Sequence, residues 1–174
     1  EAVPGISNSA SSGAGDISEI LINTSNAPVD VTYTYVTTSG ACSGNSQSVL
    51  ARVNPGGCWM GVIDRDWFKN GNWCGLPSCT GDAYIPTYPL GGRFPQIGAD
   101  GAICKDLILS PGASLEFVTT YGLSICGNWI NNGTFTPEYG TATFIGTTDQ
   151  TIGGSVAANV FYNLTINNSG VQGE

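Results

Sequence analysis

The sequence has no histidine and very little charge. Without imidazole no Ser-His-Asp or Cys-His nucleophile can be assembled, and zinc sites that need it are excluded. Charged residues are 10% of the 174, against roughly 25% in ordinary soluble domains. Bases are the scarcer sign: five Lys and Arg face thirteen Asp and Glu, for a net charge of −8. So few cations cannot neutralise a phosphate backbone, which excludes nucleic acid as a partner. An anionic membrane surface repels the chain for the same reason. No apolar run approaches the ~20 residues that span a bilayer, so membrane insertion is not expected. A signal-peptide pattern is also missing. Glu1 opens the chain in polar sequence, and a processed piece of something longer is expected.

What replaces charge is Ser, Thr, Asn and 25 glycines, beside an apolar fraction of 41%. Such a chain can bury a core. Six cysteines are present: Cys42, Cys58, Cys74, Cys79, Cys104 and Cys126. Cys74 and Cys79 are the closest in spacing, and a zinc knuckle wants CxxC pairs instead. An even count in a Thr/Asn/Gly-rich chain favours disulfides and an exported, oxidising location. The pairing is open at this level. Sequons stand at Asn23, Asn132, Asn163 and Asn167.

Helical periodicity is nearly absent, and strand alternation is widespread. Residues 29–36 alternate apolar or aromatic with polar, as a strand with one wet face does. Shorter strands are expected at 17–22 and 48–53, with turns at 23–28 and 39–45. This reads as an antiparallel sandwich. Asn54-Pro55-Gly56-Gly57 is the best internal boundary. Beyond it come Trp59, Trp67 and Trp73 in irregular, Cys-rich sequence. From Cys104 onward a beat appears, with Leu107, Leu115 and Leu123 each inside a short alternating strand. The stretch 107–117 has an echo in 134–144, and a third start follows at Phe161. Such spacing predicts a repeating coil, a β-solenoid, with an antiparallel sandwich as the alternative. The expected fold is all-β and disulfide-stabilised: a partial immunoglobulin-like sandwich over 1–55, then a β-solenoid over 56–174.

Several residues are candidate sites, each with a structural alternative. Asp64 and Asp66 put two carboxylates on one side of an extended segment. With Asp82 or Asp100 they are candidate Ca2+ ligands, or else a solvated turn ahead of Trp67. Trp59, Trp67 and Trp73, with Trp129, Tyr84, Tyr88 and Tyr121, are candidates for stacking on glycans, or else core fillers. Glu19, Glu116 and Glu138 lie on separate turns and form no evident acid/base pair. Lys105 and Arg93 are the only bases that match a polysaccharide lyase, so no enzyme is expected. Asn131, Asn132, Asn163, Asn167 and Asn168 are expected to shape coil corners.

The order Ile17–Val36, Gly40-Ala-Cys-Ser43 and Val53-Asn-Pro55 resembles the PKD-like, immunoglobulin-like repeats of giant secreted proteins of Bacteroidetes. Asp66-Trp67, Asn72-Trp-Cys74, the stretch 102–108, the stretch 127–135 and the stretch 161–168 resemble further modules of those proteins. The resemblance implies a cell-surface or released protein exported by the type IX system, with a role in adhesion, gliding or extracellular scaffolding. It also implies a cysteine upstream of Ala2 as the partner of Cys42, in strands this chain lacks. Those strands are expected from upstream sequence, or from another copy that adds a strand and so builds a filament. A carbohydrate-binding module is the alternative function.

Overall fold

A computed structural model describes residues 3–9, 12–15, 17–25, 28–40 and 42–170. Strands supply the regular sheet pairing, a few isolated bridges add to it, and no α-helix occurs among the described residues. The chain divides into two units, Glu1–Pro55 and Gly56–Glu174.

The first unit is built on one antiparallel hairpin, β1 (Val29–Ser39) with β2 (Cys42–Val53). Val29 pairs with Val53, Val31 with Ala51 and Tyr33 with Val49, and a bulge sits between Val36 and Thr38. Alternation therefore gathers Val29, Val31, Tyr33, Tyr35, Val49, Ala51 and Val53 on one face. Arg52 holds Asp30 through two bonds of 2.7 and 2.8 Å on the other. Residues 17–22 do not form the expected strand: they have no ladder partner among the described residues. An isolated bridge between Ile6 and Asn23 ties down their end. Alternating apolar residues make a strand only where a neighbour offers paired backbone groups, and here none does.

The second unit is a β-solenoid. Strands β3 (Ala83–Ile85), β6 (Leu107–Leu109), β9 (Trp129–Asn131) and β12 (Ile152–Gly153) stack in parallel as one sheet. A second sheet holds β4 (Gln96–Ile97), β7 (Ser114–Phe117) and β10 (Thr134–Thr136). The third holds β5 (Ala102–Cys104), β8 (Leu123–Ile125), β11 (Thr141–Phe144) and β13 (Asn163–Ile166). The chain visits the three sheets in turn, so each circuit is one coil of 19–24 residues. About four coils result.

The eight-residue beat is thus one side of a coil. Leu107, Leu115 and Leu123 lie on three successive sides of the same coil, all buried. The echo at 107–117 and 134–144 is corrected: it matches β6–β7 to β10–β11, which are different pairs of sides. Stacked partners are instead Leu107 with Trp129, Leu115 with Phe135 and Leu123 with Ala142. Inward rows such as Cys104–Ile125–Phe144 fill the interior. Burial of these rows at ~25 cal/mol per Å² of apolar surface is the main force holding the coils.

A polar ladder ties each coil to the next at the corner before the first sheet. The Asp82 carboxylate accepts from the Asp106 N–H at 3.3 Å. Asp106 accepts from the Asn128 N–H at 2.6 Å, and the Asn128 amide oxygen from the Thr151 N–H at 2.8 Å. Asn131, Asn132 and Asn168 also bond turn backbone at the corners. Glycine is required where corners stack closely. A Cβ on Gly122 would stand 2.0 Å from the Thr141 carbonyl oxygen, and one on Gly140 2.0 Å from that of Tyr121.

One disulfide, Cys79–Cys126, joins the segment before β3 to the corner after β8, and so links two coils. Among the described residues Cys42, Cys58, Cys74 and Cys104 are thiols.

Candidate functional site

The segment 58–73 seats on the first coil as a cap. Cys58 bridges Tyr84 and Asp66 bridges Gln96, both in parallel, so the cap continues the first two sheets by one position each. Trp59 and Trp73 meet edge to face at 4.9 Å, and Trp67 and Trp73 at 4.7 Å. Two of the indole N–H groups have carbonyl partners: Trp59 donates to that of Arg93 at 2.6 Å and Trp73 to that of Trp67 at 2.7 Å. All three are buried, with Trp59 at 0% exposure. The expectation of a glycan-stacking surface at Trp59, Trp67 and Trp73 is therefore corrected, because rings enclosed in a core offer no face to a sugar. Trp129 is buried as well. The exposed pair Tyr139 and Tyr162 meets at 87°, edge on instead of coplanar.

Asp64 and Asp66 serve this cap. Asp64 takes the Lys69 ammonium at 2.7 Å, the Asn72 amide at 2.8 Å and the Asp66 N–H at 3.0 Å. Lys69 foremost, then those two donors, hold the Asp64 carboxyl down to about 2. Asp66 turns back to accept the Phe68 N–H at 3.0 Å. Asp82 lies instead beside Lys105, 3.6 Å away. No group of three His, Cys, Asp or Glu able to hold a metal ion occurs among the described residues.

The residue that organises the cap went unread in the sequence. Asn72 is wholly buried, and its side-chain oxygen accepts from the N–H groups of Ile63 and Asp64 at 2.9 and 3.3 Å. Its amide donates to Asp64 and to the Asp66 carbonyl, at 2.8 and 3.1 Å. An Asn beside a Trp has no distinguishing spacing, so only the fold reveals it. The two bases considered for a lyase are also engaged. Lys105 lies between Asp82 and Asp106, and Arg93 reaches the Gly61, Val62 and Gly91 carbonyls. Glu116 is held by Arg65 at 3.1 Å and Gln96 at 2.7 Å, on the outward side of β7.

The first unit carries the open site. Its hairpin has one buried side chain, Val31, and the apolar face grows barer towards the tip, with Tyr35 46% and Val49 53% exposed. A cavity of about 770 Å³ lies against β1. Consecutive residues 31–36 line it. Side chains of a strand alternate between faces, so lining by consecutive residues places the cavity along the edge of β1. That edge has no ladder partner among the described residues. Ile6, Ile17 and Leu21 line it together with polar residues such as Asn8, Ser12 and Ser18, and the Tyr33 hydroxyl donates to Glu19 at 2.7 Å.

Comparison finds no matching family model, curated protein or solved structure. Function rests on the geometry. A groove along a strand edge that has no ladder partner among the described residues, with mixed polar and apolar lining, suits an added β-strand: backbone pairing supplies affinity and alternate side chains the specificity.

Proposed function

We propose that the protein is a structural, adhesive β-module of the extracellular surface. On this reading it is a segment of a large exported adhesin, of the type IX kind its sequence resembles, or a subunit of a filament. The solenoid acts as a stiff spacer, and the hairpin receives a strand from another copy or from an adjacent repeat. The observation that carries the reading is the edge of β1 that has no ladder partner among the described residues, beside the cavity of about 770 Å³. Two-stranded hairpins are at best marginal alone in water, and a third strand or packing partner is what stabilises them. The Cys79–Cys126 disulfide favours an oxidising, exported setting. Lys105 and Arg93 spend their charge on internal partners, which favours a non-enzymatic role.

The test is light scattering and negative-stain electron microscopy of the purified chain over a range of concentrations, beside a Tyr35→Lys/Val49→Lys variant. The expected result is oligomers or fibres for the parent and monomers for the variant. Tryptophan emission should be the same for both, because all four tryptophans lie in the solenoid unit. A parent that stays monomeric throughout, or a variant that assembles equally well, overturns the proposal.

A further inference from the structure

The cap contains a second pair of cysteines in register. Trp59 and Trp73 form an antiparallel bridge. The Met60 N–H donates to the Asn72 carbonyl at 2.6 Å, and the Cys74 N–H to the Cys58 carbonyl at 2.8 Å. These bonds flank the Trp pair and place Cys58 directly opposite Cys74. Opposed residues of an antiparallel pair project to the same side, with Cα atoms about 5.5 Å apart where they are hydrogen-bonded. That separation is within the span of a disulfide. Alternation sends Trp59 and Trp73 into the core, so both sulphurs lie on the other side of the ribbon. Cys58 is buried against Tyr84 and Ile108, whereas Cys74 is exposed.

We infer that Cys58 and Cys74 are a redox pair, which closes a second cross-link over the cap by exchange with a small-molecule disulfide. The Cys74 thiolate attacks one sulphur of the donor, whose S–S bond breaks and releases one thiolate. The Cys58 sulphur gives its proton to solvent and attacks Cys74 in the mixed disulfide, releasing the second thiolate. Two protein thiols are oxidised, and one donor disulfide is reduced to two thiols. The neighbouring Cys58 thiol lowers the Cys74 pKa and favours Cys74 as the attacking group, and the Cys58 S–H itself reaches the Trp59 carbonyl at 3.6 Å. The contact with Cys74, then burial, raises Cys58. The closed loop encloses Trp59, Trp67, Asn72 and Trp73, all buried in the cap. This inference stands on the solenoid unit alone and does not depend on strand sharing.

Tryptic mapping tests it. Cleavage at Arg52, Arg65, Lys69, Arg93 and Lys105 puts Cys58 on 53–65, Cys74 and Cys79 on 70–93, Cys104 on 94–105 and Cys126 on 106–174. The reduced protein is treated with oxidised glutathione, its remaining thiols are alkylated in denaturant, and it is digested without reductant. The expected product joins 53–65, 70–93 and 106–174 covalently, with Cys104 alkylated. Cys74→Ser should free 53–65 while 70–93 stays joined to 106–174. Cys58→Ser should trap glutathione on Cys74. Recovery of 53–65 alkylated at Cys58 from the parent, or joined to 94–105 or to 1–52, overturns the inference.

Discussion

Replacing Cys79 and Cys126 together by serine removes a bond between residues 47 apart in sequence. The loop-closure entropy relation makes that constraint worth ~4 kcal/mol at 25 °C, through the freedom it denies the unfolded chain. The bond ties the segment before β3 to the corner after β8, so its loss also weakens the interface between two coils. In a stacked array stability is a sum of coil and neighbour terms, so the loss should appear in full in the solenoid unit. Urea unfolding followed by tryptophan emission is the assay, because Trp59, Trp67, Trp73 and Trp129 all report on that unit. With a slope of about 2 kcal/mol per M, the midpoint should fall by about 2 M. A shift under about 0.3 M would refute the reasoning: the bond would then not constrain the unfolded chain. With both proteins in reductant, parent and variant should unfold at the same midpoint.

Gly140→Ala sets a Cβ 2.0 Å from the Tyr121 carbonyl oxygen, a backbone clash that should cost about 2 kcal/mol or more in the same urea assay. Asn72→Ala strips a buried amide of four hydrogen bonds. It should destabilise the solenoid unit by about 3 kcal/mol, with greater acrylamide quenching of the cap tryptophans. Asp64 is held down to about 2 by Lys69 first, then by Asp66 N–H and Asn72. A depressed carboxyl contributes stability above its unfolded value of about 3.9 and loses it as pH falls through the folded value. Quenching should therefore rise between about pH 4 and about pH 2, and Asp64→Asn should remove that step. In the reduced protein, Cys74, lowered to about 7 by the neighbouring Cys58 thiol, should react with iodoacetamide at neutral pH. Cys104, raised by burial, should not, as mass mapping of the label would show.

The inward alternation of the solenoid was legible in the sequence, but its period was not. The second and third sides of a coil carry the same buried–outward pattern, as Leu115–Phe117 and Leu123–Ile125 illustrate. Periodicity alone could not tell the sides apart and matched β6–β7 to β10–β11. Corners of unequal length absorb the differences between coils, so the spacing of stacked partners ranges from 19 to 24 residues. The true repeat is marked by Asp82, Asp106, Asn128 and Thr151, each one residue before a strand of the first sheet. That mark is polar and chemically varied, and a search for apolar beats passes over it. The tryptophans could be weighed as platform or core only by abundance. Their burial follows from the register of residues 58 to 74, which hydrogen bonds decide. The groove along β1 was foreseeable only as an incomplete repeat, since it is lined by residues between Val3 and Leu21, which form no ladder strand of their own among the described residues.

The Cys79–Cys126 bond has a further consequence for a chain that is pulled. Coils drawn apart in succession each release a contour of roughly 7 nm, for about 22 residues at ~3.4 Å each. The 47-residue span between those cysteines holds roughly 16 nm of such length that tension cannot reach while the bond is closed. Extensibility then depends on the redox state of the surroundings: short and stiff where disulfides persist, longer and more yielding where they are reduced.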